Sequence, residues 1–99
     1  MLMGPLRQLI EERREEINAV VRGHRGRSVA IFGSVARGEE REGSDIDLLV
    51  EFEPGSSLFD LMRLEDELSA LLGVQIDVVS AGGLKGRDED VRREAVLLA

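Results

Sequence analysis

One segment, Asp45 to Phe52, limits the folds open to this chain more than any other. It alternates Asp45, Asp47 and Leu49 against Ile46, Leu48 and Val50 before Pro54-Gly55 ends the run. That period of two is the pattern of a β-strand with one face turned to a core and the other carrying the aspartates. A second β-prone run, Ser28 to Phe32, ends at Gly33-Ser34, and ten residues separate Ser34 from Asp45. A third, Val74 to Val79, places Val74, Ile76 and Val78 on one face and Asp77 on the other, beside Gln75 and Val79.

The intervening segments read as helices. Leu6, Leu9, Ile10, Ile17, Val20 and Val21 recur at helical spacing, with Gly23 as the stop. Ser34 to Gly38 predicts a short helix, and the glycine-broken, charged stretch Glu39 to Ser44 a surface loop. Leu58 to Leu72 predicts a helix with Ser57 as N-cap and Gly73 as C-cap. Asp88 to Leu98 predicts a terminal helix through Val91, Ala95 and Leu98. The resulting order predicts a small two-layer α/β domain spanning residues 1–99, a short mixed sheet with helices mainly on one face and the other face partly open. Apolar residues of the first and last helices are expected to remain exposed, as a partner or dimer surface.

Composition removes several functions. With no cysteine, thiolate metal sites and cysteine nucleophiles are excluded, so a metal would need oxygen ligands or the lone His24. A formal charge of −7 argues against free nucleic acid as a direct substrate. The arginine pairs Arg13-Arg14 and Arg92-Arg93 lie in acidic stretches and read as solvated helix faces. No apolar run is long enough to span a membrane, and Leu6 to Arg22 is too charged for a signal peptide, which predicts a cytoplasmic protein.

Asp45 and Asp47 on one strand face have Cα atoms roughly 6–7 Å apart, close enough to share a hard cation. Strand pairing would bring Asp77 to the same face. Such a cluster is costly without a cation, because neighbouring carboxylates oppose one another's ionisation. Mg²⁺ suits it, since Mg²⁺ takes oxygen ligands and is completed by water and substrate phosphates. One ion can activate an attacking oxygen while another steadies the leaving oxygen of an in-line displacement. Gly33 would let the backbone approach a phosphate, Ser34 would add a hydroxyl donor, and Arg37, one turn later, a charge-assisted contact.

Gly33-Ser34-Val35-Ala36-Arg37-Gly38, followed by Ser44-Asp45-Ile46-Asp47-Leu48-Leu49-Val50, resembles the minimal nucleotidyltransferase (MNT) family of the polymerase-β superfamily. Among chains of this size it looks like the MntA type, the antitoxins of HEPN/MNT toxin–antitoxin pairs. The resemblance implies Mg²⁺-dependent transfer of AMP from ATP to a tyrosine of a cognate HEPN ribonuclease, in a homodimer or hetero-oligomer. It implies Gly33 and Ser34 as the nucleotide-binding pair, with Arg37 as the motif arginine. Asp45 and Asp47 would be metal ligands, and Asp77 the third carboxylate, a metal ligand that also activates the acceptor hydroxyl.

Two other functions fit the same residues. One is nucleotidyl transfer to a small hydroxylated molecule, as in aminoglycoside-modifying relatives, although 99 residues leave little room for an acceptor domain. The other is an inert antitoxin that neutralises its partner by binding. Further residues are assigned no role: His24 is expected to be exposed in a Gly/Arg-rich turn, Lys85 solvated at a loop end, and Phe32, Phe52 and Phe59 part of the core.

Overall fold

The fold was obtained as a computed structural model, which describes residues 4–83 and 93–98. Helices α1 (Pro5–Glu12) and α2 (Arg14–Gly23) lead into strand β1 (Gly26–Phe32), the short helix α3 (Gly33–Arg37) and strand β2 (Ile46–Phe52). Helix α4 (Leu58–Leu72), strand β3 (Ile76–Ser80), a 3₁₀ turn (Ala81–Gly83) and the two-residue strand β4 (Val96–Leu97) follow. The mixed sheet has the order β3-β2-β1-β4. β1 runs antiparallel to β2 and β4, while β2 and β3 are parallel and joined by the α4 crossover.

Alternation assigns the two faces. Val29 and Ile31 of β1, Ile46, Leu48 and Val50 of β2, and Ile76 and Val78 of β3 meet Ile10, Ile17 and Val21 of the first two helices, Val35 of α3, and Leu64, Leu68 and Leu72 of α4. The opposite face carries a thin cluster, Ala30, Leu49 and Ala81, with Phe32, Val79 and Ala95 against it. Asp47 and Asp77 belong to this second face by the same alternation.

Helix α4 has the predicted bounds and caps. Asp60 accepts a 2.8 Å hydrogen bond from the Ser57 backbone N–H, and Gly73 closes the helix at φ 71°.

Other expectations need correction. The first helix breaks at Arg13 (φ −106°, ψ 16°) instead of running to Arg22. Arginine stands at 13 and 14, where the apolar stripe would continue, so that turn has nothing to bury. Ile10 and Ile17, on either side of the break, are both fully buried. The arginines there form surface pairs, Arg13 with Glu16 at 3.4 Å and Arg14 with Glu11 at 3.8 Å.

The terminal helix is replaced, where it is described, by Arg93-Glu94 in helical conformation and then β4. Residues 88–92 of that prediction lie outside the described residues. The β1 edge offers backbone groups that a helix cannot satisfy: Ile31 pairs with Val96, and Leu98 N–H donates to Val29 O at 2.9 Å. Leu98 is buried as a result.

Among the described residues, the large exposed apolar side chains are Leu58, Phe59 and Met62 at the start of α4 and Leu97 of β4; the last lies in the segment expected as the terminal helix, while α1 and α2 contribute none. Phe59 therefore does not join the core, whereas Phe32 and Phe52 pack against it. His24 is partly buried rather than exposed, bonded to Glu67 across α2 and α4. Lys85 lies outside the described residues.

Candidate active site

Register brings the predicted residues to one end of the sheet. Phe32, the last residue of β1, stands opposite Asp47, and Asp47 is paired in turn with Asp77 on β3. Neighbouring strands lie about 4.8 Å apart, so two carboxylates on one face at paired positions feel each other directly. Asp45 falls one residue before β2 and is exposed, at the point where Ile46 N–H donates to Gln75 O at 3.1 Å.

Gly33 follows Phe32 immediately and turns the chain into α3. Its φ of 74° disfavours any L side chain, and a Cβ there would collide with Asp47 Oδ2. Two constraints thus require glycine: the turn, and contact between its backbone and the aspartate. Gly38, at φ 73°, ends α3, and the Ser34 carbonyl accepts from Glu39 N–H at 2.8 Å. Ser34 is partly buried in the first turn of α3.

Asp47 binds its proton more tightly than an ordinary aspartate. Burial is the largest cause, followed by the charges of Asp77 and Asp45, with Arg37 acting in the opposite sense and Glu94 adding a smaller upward push. Arg37 is held in its charged form by hydrogen bonds to Glu39 and Glu94.

The donor chemistry fits a hard divalent cation: Asp47 and Asp77 are paired at one sheet end, Asp47 also feels the charge of Asp45, and that repulsion is what a cation would relieve. Among the described residues, however, no three acidic or imidazole groups form a ready-made cage. A cation here would be held by one or two aspartates and completed by water and phosphate oxygens, the usual habit of Mg²⁺.

Glu94 escaped the sequence reading. Its carboxylate accepts from Gly33 N–H at 3.2 Å and from Arg37 Nη1 at 3.1 and 3.2 Å. It lies 61 residues from Gly33, and no local pattern marks it. A cleft of about 600 Å³ opens beside Asp45, between Pro5-Leu6, the loop 40–44 and Val74-Gln75.

A glycine turn thus stands against paired carboxylates at the end of a small mixed sheet. The nucleotidyltransferase domain model matches residues 6–97, and the chain belongs to that family. Within it, the chain is an enzyme of the minimal, MntA-like type. It is 41% identical over 91 residues to the protein adenylyltransferase MntA of Thermococcus cleftensis, covering 83% of this chain and 92% of that protein. A solved structure assigned as a minimal nucleotidyltransferase superposes with a TM-score of 0.82 at 48% identity, covering 91% and 93% of the two chains. The fold also matches a chain of a Shewanella oneidensis complex between a tri-AMPylated HEPN toxin and its MNT antitoxin. That match has a TM-score of 0.69 at 17% identity and covers 90% of this chain and 71% of that one.

Proposed function

We propose that this chain is a cytoplasmic, Mg²⁺-dependent protein adenylyltransferase that moves AMP from ATP to a tyrosine hydroxyl of a cognate HEPN ribonuclease and so acts as its antitoxin. The observation that carries the chemistry is the double register in which Asp47 faces both the residue before Gly33 and Asp77. It supports a role for the Gly33 turn in holding a phosphate beside the carboxylates, as phosphoryl chemistry requires. The identity of the acceptor draws support from the named activity of the Thermococcus relative and the AMPylated toxin of the Shewanella complex.

In this reading Asp45 and Asp47 hold the metal, which when bound neutralises phosphate charge and helps activate the attacking oxygen. The Gly33 backbone lets a phosphate approach, the Ser34 hydroxyl donates to it, and Arg37 supplies positive charge. Asp77, on the neighbouring strand, takes the proton of the acceptor hydroxyl. The hydroxyl oxygen bonds to the α-phosphorus as the bond to pyrophosphate breaks, and pyrophosphate leaves. Its register pairing with Asp47 supports a further role for Asp77 as a metal ligand in the loaded site.

The test is intact mass. The chain is incubated with ATP, Mg²⁺ and the HEPN-domain protein encoded beside its gene, in parallel with a variant carrying Asp45→Asn and Asp47→Asn. A gain of whole AMP units on the partner, absent with the variant, is expected. Tight association without any mass gain, together with neutralisation that survives both substitutions, would instead make the chain a binding antitoxin.

A further inference from the structure

Among the described residues, Glu94 is a carboxylate that reaches the phosphate turn from a distant segment, and the reaction as derived gives it no task. Both of its oxygens face the Arg37 guanidinium, and one also accepts from the Gly33 amide. These are two of the three groups to which the nucleotide-binding role falls, and a carboxylate bound by a backbone N–H and a guanidinium makes the contacts that a phosphate oxygen would make. Resting on the nucleotidyltransferase reading, we propose that Glu94 occupies the phosphate subsite of the free enzyme and is exchanged for a phosphate of ATP on binding, so that this residue sets how tightly the nucleotide is held.

The surroundings make the exchange local. Two residues on, Val96 pairs with Ile31, and Leu98, 2% exposed, is anchored by its amide to Val29 O. The backbone of the segment is thus tied to the sheet while the Glu94 side chain, 30% exposed, can rotate away. Arg37 retains Glu39 as a second partner when Glu94 leaves.

Exchange has a consequence for affinity. Incoming phosphate must break the bonds of Glu94 to Gly33 and Arg37 and then remain near a displaced negative charge. Removing the carboxylate should therefore tighten nucleotide binding. Exposed ion pairs of this kind carry modest energies, so the expected gain is about three- to tenfold.

The experiment measures the Kd of ATP with Mg²⁺ by calorimetry for wild type, Glu94→Ala and Glu94→Gln. Inorganic tripolyphosphate is titrated as a competitor, and thermal melts verify that each variant is folded. Glu94→Ala is expected to bind ATP about three- to tenfold more tightly. Glu94→Gln, which keeps an acceptor for Gly33 but not the charge, should fall between it and wild type. Tripolyphosphate should gain by the same factor as ATP, because the exchanged contacts are phosphate contacts. Equal or weaker ATP binding in a folded Glu94→Ala variant overturns the proposal and leaves the nucleotidyltransferase reading intact. A gain for ATP without one for tripolyphosphate also overturns it, placing the effect elsewhere on the nucleotide. If no form binds ATP at all, the proposal and the reading beneath it fall together.

Discussion

Asp47 shows how a site residue can work against the fold that carries it. Its carboxyl is partly buried beside Asp77 and Asp45, and its pKa is raised first by burial and then by those two charges. Because the folded chain binds this proton more tightly than the unfolded chain, Asp47 favours folding at pH below its ordinary range. That contribution is lost as pH rises through the raised value, and at neutral pH the ionised group is a net cost. Asp47→Asn should consequently raise the melting temperature at pH 7 without divalent cation, and the gain should vanish when both proteins are melted near pH 3. On the proposed role of Asp47 as a metal ligand, the same change should lower AMP transfer at least about a hundredfold, a loss of several kcal/mol of transition-state stabilisation. A variant that melts lower than wild type at pH 7 would contradict the electrostatic account.

Gly33 makes the complementary case. Gly33→Ala places a Cβ against Asp47 Oδ2 at a backbone angle that costs an L residue about 1–2 kcal/mol. Activity should fall with stability here, whereas at Asp47 the two move in opposite directions. Paired melting curves and transfer assays distinguish the two sites.

At the level of elements, legibility followed how local the determining interactions are. The bounds of helix α4 could be read to the residue because their signals lie within it: Ser57 at one end, Gly73 at the other, and apolar residues such as Leu68 and Leu72 between. The strand faces were equally readable, since period-two alternation of Ile46, Leu48 and Val50 against Asp47 and Leu49 needs no knowledge of a neighbour. The break at Arg13 and strand β4 were not readable in this way. Val91, Ala95 and Leu98 are at helical spacing in the sequence, and it is pairing with the edge of β1, some 65 residues earlier in the chain, that makes Val96-Leu97 a strand. The bonds of Glu94 to Gly33 and Arg37 depend on that same long-range pairing, which is why the aspartates and the glycine turn could be found in the sequence and Glu94 could not. Leu98→Ala tests the energetic weight of β4. The buried Leu98 should cost about 2–4 kcal/mol on truncation, a loss a solvated helix end would not show. Urea denaturation of the two proteins measures it, and a cost below about 0.5 kcal/mol would mean that β4 contributes little to the folded state.

Across the whole molecule, the sheet end gathers Asp45, Asp47 and Asp77 within a chain whose formal charge is −7. Repulsion within the cluster raises the proton affinity of Asp47, and a cation bound there, as proposed, would relieve it. A ligand that binds only the folded state stabilises it by RT ln(1 + [L]/Kd), about 1.4 kcal/mol at ten times Kd. In a domain of about this size each kcal/mol moves the melting temperature by roughly 4–8 °C. Mg²⁺ with ATP at that saturation should therefore raise the melting temperature by roughly 6–11 °C. Screening by salt is the competing explanation, because any cation weakens repulsion among exposed charges. The two separate cleanly when ionic strength is held constant with NaCl and the protein carrying Asp45→Asn and Asp47→Asn is melted alongside. Specific binding predicts a shift for the wild type that the double variant lacks. Equal shifts in both proteins would reduce the cluster to a general electrostatic burden and remove the support that cation binding lends to the catalytic role of Asp45 and Asp47.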